Sequence, residues 1–308
     1  MNLIEIKKRL DALSKSGKLE YREKAPLCDY SSFRIGGSAD FIVHPKTETA
    51  LIELIELFKT AEYPFLVFGN ASNVLFDDAG YRGAAIFTTE MQGYSVDGTT
   101  LTVASGMSFT LLSAKARDHG LSGLEFAYGI PGTVGGAIYM NAGAYGGSVS
   151  DHLISSVAYD PVKREVLTLK GVQSHHFGYR HSCYMENGYI ILSGTFLLEE
   201  GDKDVIGAKM KDLMDSRRTK QPLEYPSAGS VFKRPEGYFA GKLIEDAGLK
   251  GYAIGAAQVS EKHAGFIINR GGATASDVCA LIEHIQNTIY TKFGVMLETE
   301  IIRLGQGE

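Results

Sequence analysis

Apolar positions recur at helical spacing twice before residue 60, at Leu3, Ile6, Leu10 and Leu13 and again at Ala50, Leu51, Leu54, Ile55 and Phe58. The pattern predicts two amphipathic helices, each docking its apolar stripe on a sheet. Short β-rich runs follow at Phe65–Phe68, Ala84–Thr88 and Thr100–Ala104, and a helix opening at Ser108 stops at Gly120 after His119. Strand-like segments return at Ser155–Tyr159, Glu165–Leu169 and Tyr189–Leu198, closing one α/β region, and Glu199-Glu200-Gly201-Asp202 reads as a polar hinge. Beyond it a charged helix over Lys203–Thr219 leads into the Gly/Pro-punctuated stretch QPLEYPSAGSVFKRPEGYFAG and a helix near Lys242–Ala247. Ser276 is placed to cap a last long helix carrying Val278, Leu281, Ile282, Ile285 and Ile289 and ending at Gly294. The final strand is Val295–Ile302, on which a period of two puts Met296, Glu298, Glu300 and Ile302 on one face and Leu297, Thr299 and Ile301 on the other. No internal repeat is visible.

A chain of 308 residues, 44% apolar, is long enough for two or three modules with cores of their own, which excludes a disordered or fibrous protein. The net charge of -5, spread along the chain, gives no electrostatic reason to approach nucleic acid or an anionic membrane. The opening MNLIEIKKRL mixes acids and bases among apolar positions, and no later run approaches the roughly 20 apolar residues a membrane span needs, so neither a signal peptide nor a transmembrane helix is expected. Cys28, Cys183 and Cys279 are odd in number and lack any C-x-x-C, which argues against a disulfide framework or a thiolate zinc site. His175, His176 and His181 sit in a polar stretch without Cys or H-x-x-x-H spacing, and no metal is expected. A cytoplasmic protein fits these features.

Two segments change the picture. Phe65–Phe68 enters a tight turn, Gly69-Asn70-Ala71-Ser72-Asn73, whose successive backbone N–H groups and hydroxyl could hold a pyrophosphate, although such junctions also serve as simple turns. From Gly123 to Gly147 the composition shifts to Gly, Ala and small polar residues. Within it Gly129-Ile130-Pro131-Gly132-Thr133-Val134-Gly135-Gly136 permits close backbone approach to a ligand, or a plain crossing between two sheets. Neither segment is a Rossmann fingerprint or a P-loop, which disfavours doubly wound nicotinamide and ATP folds.

With these segments stand Ser32-Phe-Arg34-Ile-Gly-Gly37-Ser-Ala-Asp40, Gly178-Tyr-Arg180-His-Ser182, Ala228-Gly-Ser230-Val-Phe-Lys233, Gln258-Val-Ser-Glu-Lys-His263 and Leu297-Glu-Thr-Glu300. In this order, from about Ser31 to Leu304, the chain resembles the UDP-N-acetylenolpyruvoylglucosamine reductases of peptidoglycan synthesis. The resemblance implies an α+β protein with a vanillyl-alcohol-oxidase-type FAD-binding domain of two α/β subdomains and a C-terminal α+β substrate domain. It divides the chain into an N-terminal helical segment over 1–30, the FAD domain over 31–200 and the substrate domain over 201–308. The short linker from Tyr184 to Ile190 and the early C-terminus look like the subclass lacking an inserted tyrosine-bearing loop. The family's phosphate turn is usually Gly-x-Gly-Ser-Asn. Here Ala71 stands at the second glycine, a substitution that a negative φ would accommodate.

The resemblance further implies noncovalent FAD at Arg34, Gly69, Asn70, Ala71, Ser72, Asn73, Gly129, Ile130, Pro131, Gly132, Thr133, Gly135, Gly136, Asn141 and Gly143. NADPH is the reductant and an enolpyruvyl UDP-sugar the substrate, held by Tyr179, Lys220, Lys233, Arg234 and Gln258. Lys262 also lies in a matching segment, and Tyr179, Tyr225 and Tyr238 are candidates to pack on the uracil or the flavin. Arg180 would clamp the substrate carboxylate, Ser230 would donate a proton to carbon with Lys233 or a water chain steadying the alkoxide, and Glu300 would polarise the enolate. A monomer is expected, serving cell-wall biogenesis and hence cell shape and division. Two rivals stay open: an oxidase or dehydrogenase on the same flavin fold, and a flavin- or nucleotide-binding module without turnover.

Overall fold

In the computed structural model, which describes residues 3–305, both predicted N-terminal helices form, as Leu3–Lys15 and Glu48–Thr60. Thr47 caps the second by accepting from the Ala50 N–H. Its stripe of Leu51, Leu54, Ile55 and Phe58 is buried with Ile6 and Leu10 against Phe41, Val43, Ala84 and Ile86. The sheet beneath has the order Leu19–Glu23, Ala39–Pro45, Tyr81–Phe87, Phe65–Phe68, antiparallel at the first pair and parallel at the last. Removing each such side chain from water stabilises by about 1.5–3 kcal/mol, so this stripe is what anchors the strand that runs into Gly69.

A second core in the same unit lies on a five-stranded antiparallel sheet, ordered Glu165–Lys170, Leu153–Asp160, Ile190–Leu197, Thr100–Ala104, Tyr94–Asp97. Phe109, Leu112, Phe126, Ile138 and Phe196 fill it. The short helix Val134–Tyr139 packs so tightly on this sheet that a Cβ on Gly194 would stand 2.6 Å from the Ile138 Cδ1. Phe109–Asp118 starts at Ser108 and ends at His119 and Gly120, as its sequence predicts.

The acidic run after residue 198 is not a hinge. Glu199–Glu200 pairs antiparallel with Leu121–Ser122, the Gly201 N–H donates to the Gly120 carbonyl at 2.8 Å, and Asp202 accepts from the N–H groups of Asp204 and Val205. Acidic side chains left in solvent do not prevent their backbone from pairing. The helix Lys203–Lys220 follows.

The chain divides into two compact units. The first comprises residues up to Glu23, Phe41–Asn70 and Gly83–Asp215. The second gathers Lys24–Asp40, Ala71–Arg82 and the chain from Ser216 onward. Its core is the helix Ala275–Phe293, whose Val278, Leu281, Ile285 and Ile289 pack with Leu243 and Ile244 of the helix Ala240–Asp246 and with Phe33, Ile35 and Leu75. A three-stranded antiparallel sheet, Ala253–Ile254, Ala257–Val259, Ile267–Asn269, completes it. Among the described residues no helix is long and apolar enough to cross a membrane, and no group of three or more His, Cys, Asp or Glu side chains could hold a metal ion.

Two sequence expectations shift here. The cap of the long helix is Thr274, not Ser276: Thr274 accepts from the Asp277 N–H at 3.0 Å while Asp277 accepts from the Thr274 N–H at 3.1 Å. Ser276 sits in the first turn, where its N–H and hydroxyl, with the Ala275 N–H, donate to Asp78 at 2.7–3.0 Å. The last strand is also shorter than predicted. Only Ile302–Leu304 forms a ladder, parallel to Val74–Phe76, while Thr299 makes an isolated bridge to Phe232. Leu297 and Ile301 are buried but Thr299 is exposed, because 298–300 is held by separate bonds to 231–233 instead of a regular sheet.

Burial works against the charge of Asp78, but the Ala275 and Ser276 N–H groups, the Ser276 hydroxyl and the Arg303 guanidinium outweigh it and hold its carboxyl below the usual range. A depressed carboxylate stabilises fully above its unfolded pKa, about 3.9, and loses that contribution as pH falls through the folded value. Asp78→Ala should therefore cost about 1 kcal/mol in denaturant unfolding at pH 7. The gap from wild type should close in melts taken below about pH 4.

Candidate active site

Gly69 ends its strand directly against Thr133: a Cβ at Gly69 would lie 2.0 Å from the Thr133 hydroxyl, so only glycine lets the two predicted turns meet. Beside them the Asn70 amide donates to the Pro131 carbonyl at 2.8 Å. Thr133 is itself the cap of Val134–Tyr139, accepting from the Gly136 N–H. Gly129 takes φ +88°, and its N–H donates to Thr110, whose hydroxyl donates to the Ile130 carbonyl. Gly135 is tied by its N–H to the Ser105 carbonyl. A Cβ on Gly136 would meet nothing closer than 3.6 Å, which leaves open backbone of the kind a dinucleotide approaches.

The same unit brings Arg180 to this segment. Its guanidinium donates to the Gly143 carbonyl at 3.1 Å and stands 5.3 Å from the ring centre of Tyr179, itself 58% exposed. The buried Asn141 amide donates to the Gly178 carbonyl at 2.9 Å and accepts from the Ser150 N–H at 3.0 Å. Asn141 thus latches the Arg180 loop to the glycine-rich segment.

The second unit carries Ser230, Glu300, Asn73 and Arg34. The Glu300 N–H donates to the Val231 carbonyl at 2.7 Å, next to Ser230, which follows Gly229 at φ +78° and bridges Phe266. The Glu300 carbonyl accepts from the Asn73 amide at 3.0 Å, and the Ile302 N–H donates to the Asn73 carbonyl. Glu300 thus links Val231, the neighbour of Ser230, to Asn73 at the end of the Gly69–Asn73 turn, with Ser72 half-buried beside it. Arg34 is exposed at φ +54°, and the buried Asn269 amide grips the carbonyls of Phe33 and Arg34 at 3.1 and 3.3 Å.

With this geometry in place, sequence comparison gives a consistent answer. The family described as UDP-N-acetylenolpyruvoylglucosamine reductase, C-terminal domain, matches residues 221–304, and an FAD binding domain family matches residues 39–162. The UDP-N-acetylenolpyruvoylglucosamine reductase of Limosilactobacillus fermentum is 46% identical over 94% of this chain and 96% of its own, and that of Clostridioides difficile 45% over 96% and 97%. The chain belongs to the UDP-N-acetylenolpyruvoylglucosamine reductase family. The crystal structure of the reductase from Thermus caldophilus superimposes with a TM-score of 0.78 at 34% identity, covering 92% of this chain and 98% of that one, so the α+β fold with its FAD domain is shared.

Set against that family, several predicted substrate residues engage their neighbours. Gln258 donates to the Gly251 carbonyl and accepts from Arg270 at 2.7 Å, so Arg270, which sequence reasoning passed over, fixes its amide. Arg270 also lies 5.5 Å from the ring centre of Tyr225, and Arg234 4.0 Å from that of Phe239. Lys233 pairs with Glu298 and Lys262 with Glu224, both at 3.3 Å, and Lys220 ends its helix in solvent. The Lys233 ammonium is thus directed at Glu298. Tyr238 is exposed.

Ala71 takes φ +41°, not the negative φ that would suit alanine, and it is buried. Of the nine described non-glycine residues at positive φ, four are predicted site positions: Arg34, Ala71, Asn141 and Arg180. Such backbone persists only where its surroundings hold it. Restoring glycine by Ala71→Gly relieves roughly 1–2 kcal/mol of left-handed strain against about 0.5–1 kcal/mol of added chain entropy. Denaturant titration should show a variant more stable by up to about 1 kcal/mol with undiminished flavin retention.

Proposed function

We propose that this chain catalyses the NADPH-dependent reduction of UDP-N-acetyl-3-O-(1-carboxyvinyl)glucosamine to UDP-N-acetylmuramate. The observation that carries the reading is the pairing of chemistry with flavin-side backbone. Arg180 is bonded to Gly143 beside the glycine-rich turn, while Glu300 is bonded through backbone to Asn73 and to Val231, the residue after Ser230. An oxidase on the same fold has no need of all three. FAD, which the Gly69–Asn73 and Gly129–Gly136 segments would hold, would supply the hydride chemistry that joins NADPH oxidation to reduction of the vinyl group.

The residues of the chain do the rest. Reduction of the vinyl group builds negative charge on the adjoining carbon and its carboxylate, and fixed donors aimed at that charge lower the barrier. Arg180 meets the carboxylate with a planar fork, and its carbonyl contact with Gly143 sets the plane. Ser230 gives its hydroxyl proton to the carbanionic carbon. A serine is a weak acid, so the transfer needs a basic acceptor and a steadied alkoxide. With Lys233 paired to Glu298, a water chain suits that second task better than the ammonium does. Glu300 polarises the enolate from a backbone fixed on both sides. The cytoplasm is the compartment where such a precursor would be made, the protein acts there as a monomer, and its product feeds cell-wall synthesis and so cell shape and division.

Anaerobic spectra test the reading. Bound yellow flavin should bleach with NADPH and recolour only with the enolpyruvyl UDP-sugar, and acid precipitation should release all of it. Flavin left on the pellet, or recolouring by simple alcohols, would favour the oxidase. Ser230→Ala should leave bleaching near normal and stop recolouring; equal slowing of both steps would leave Ser230 a structural turn residue. Glu300→Gln and Arg180→Lys should each slow recolouring on the order of a hundred- to a thousand-fold with FAD still bound. Near-wild-type rates there would remove both from the mechanism.

A further inference from the structure

We propose that the buried chain Tyr184–Ser156–His175 is a positioning device for Arg180, fixing both ends of the loop that carries it. The proposal rests on the reading of Arg180 as the carboxylate clamp. His175 is 0% exposed, Ser156 1% and Tyr184 2%, although the sequence places His175 in a polar stretch. The Ser156 hydroxyl lies 2.7 Å from His175 Nε2 and 2.6 Å from the Tyr184 hydroxyl, and His175 Nδ1 lies 2.7 Å from the Gly171 carbonyl.

These distances permit one arrangement of protons. The Gly171 carbonyl can only accept, so Nδ1 carries the hydrogen and, in the neutral ring, Nε2 must accept. Ser156 then donates to Nε2, and Tyr184 donates to Ser156. Burial pushes the His175 imidazole down from its ordinary value, which favours the neutral ring that this order requires.

Three polar groups in a core cost stability unless each is satisfied, and three apolar side chains would fill the same space. What the polar set adds is direction. Ser156 stands on the strand Leu153–Asp160, His175 ends the short helix Gly171–His175, and Tyr184 begins the helix Tyr184–Asn187. One hydroxyl on a central strand thus holds the entry and the exit of residues 176–183. The base is closed by the Cys183 N–H on the His175 carbonyl at 2.7 Å, and Phe177 stacks on His175 at 5.0 Å. Within the loop His176 and Arg180 take φ +47° and +52°. Non-glycine residues are strained there, so the loop keeps this shape only if its ends are fastened.

Rapid mixing of the FAD-loaded enzyme tests the idea with Ser156→Ala, Tyr184→Phe and Arg180→Lys side by side. Ser156→Ala should slow flavin reoxidation by the enolpyruvyl UDP-sugar on the order of ten- to a hundred-fold, the scale of an ångström-sized misplacement. Bleaching by NADPH should stay within about twofold, because the damage is confined to the clamp. Tyr184→Phe, which removes one oxygen and keeps the ring, should act in the same direction more weakly, and it carries the test if Ser156→Ala does not fold. A folded Ser156→Ala or Tyr184→Phe that reoxidises at the wild-type rate, or slows both half-reactions equally, while Arg180→Lys is impaired, overturns the positioning role alone. Wild-type reoxidation by Arg180→Lys overturns the clamp and the positioning role together.

Discussion

The backbone of one residue, Glu300, ties together the segments of the second unit that carry Asn73 and Ser230. Its N–H is bonded to the Val231 carbonyl beside Ser230, and its carbonyl takes the Asn73 amide from the end of the Gly69–Asn73 turn. The ladder of Ile302–Leu304 on Val74–Phe76 continues the same line, and Leu297 and Ile301 anchor it in the core of the long helix. Because both bonds use main-chain groups, the placement of Glu300 does not depend on what its carboxylate is doing. The backbone alone holds the position, and on the proposed reading that is the preorganisation which electrostatic stabilisation of an enolate requires.

The first unit reaches the same end with side-chain amides and a guanidinium on backbone carbonyls: Asn70 on Pro131, Asn141 on Gly178, Arg180 on Gly143. Each contact joins segments between 37 and 61 residues apart, and each replaces a contact with water that the carbonyl would otherwise make. The net gain per bond is about 1 kcal/mol. Their greater effect is to over-determine loops whose backbone is locally unfavourable, since Asn141, His176 and Arg180 all sit at positive φ.

What the sequence revealed follows from range. The stripe of Leu51, Leu54, Ile55 and Phe58 is a local pattern and marked its helix, as Val278, Leu281 and Ile285 marked theirs. The cap was misread although the signal was there: Thr274 has an acid three residues on, Asp277, and Ser276 does not. Glu199–Glu200 looked like a hinge because side-chain polarity says nothing about backbone pairing with Leu121–Ser122. His175 looked polar because its partners Ser156 and Tyr184 lie 19 and 9 residues away on separate elements. Motif positions named Arg180, Ser230 and Glu300, but no local pattern told of Asn269 or Arg270, which orient Arg34 and Gln258 from 235 and 12 residues away.

Ala71 shows why such a site tolerates departures in its own motif. The left-handed turn there is imposed from its flanks: on one side Asn70 is bonded to Pro131, on the other Asn73 is bonded to Glu300 and its carbonyl to Ile302. Three hydrogen bonds at about 1 kcal/mol each exceed the roughly 1–2 kcal/mol that an alanine loses at positive φ. Glycine makes this turn easy without being what makes it form. A small side chain can therefore stand at the second glycine while the backbone beside it keeps its course.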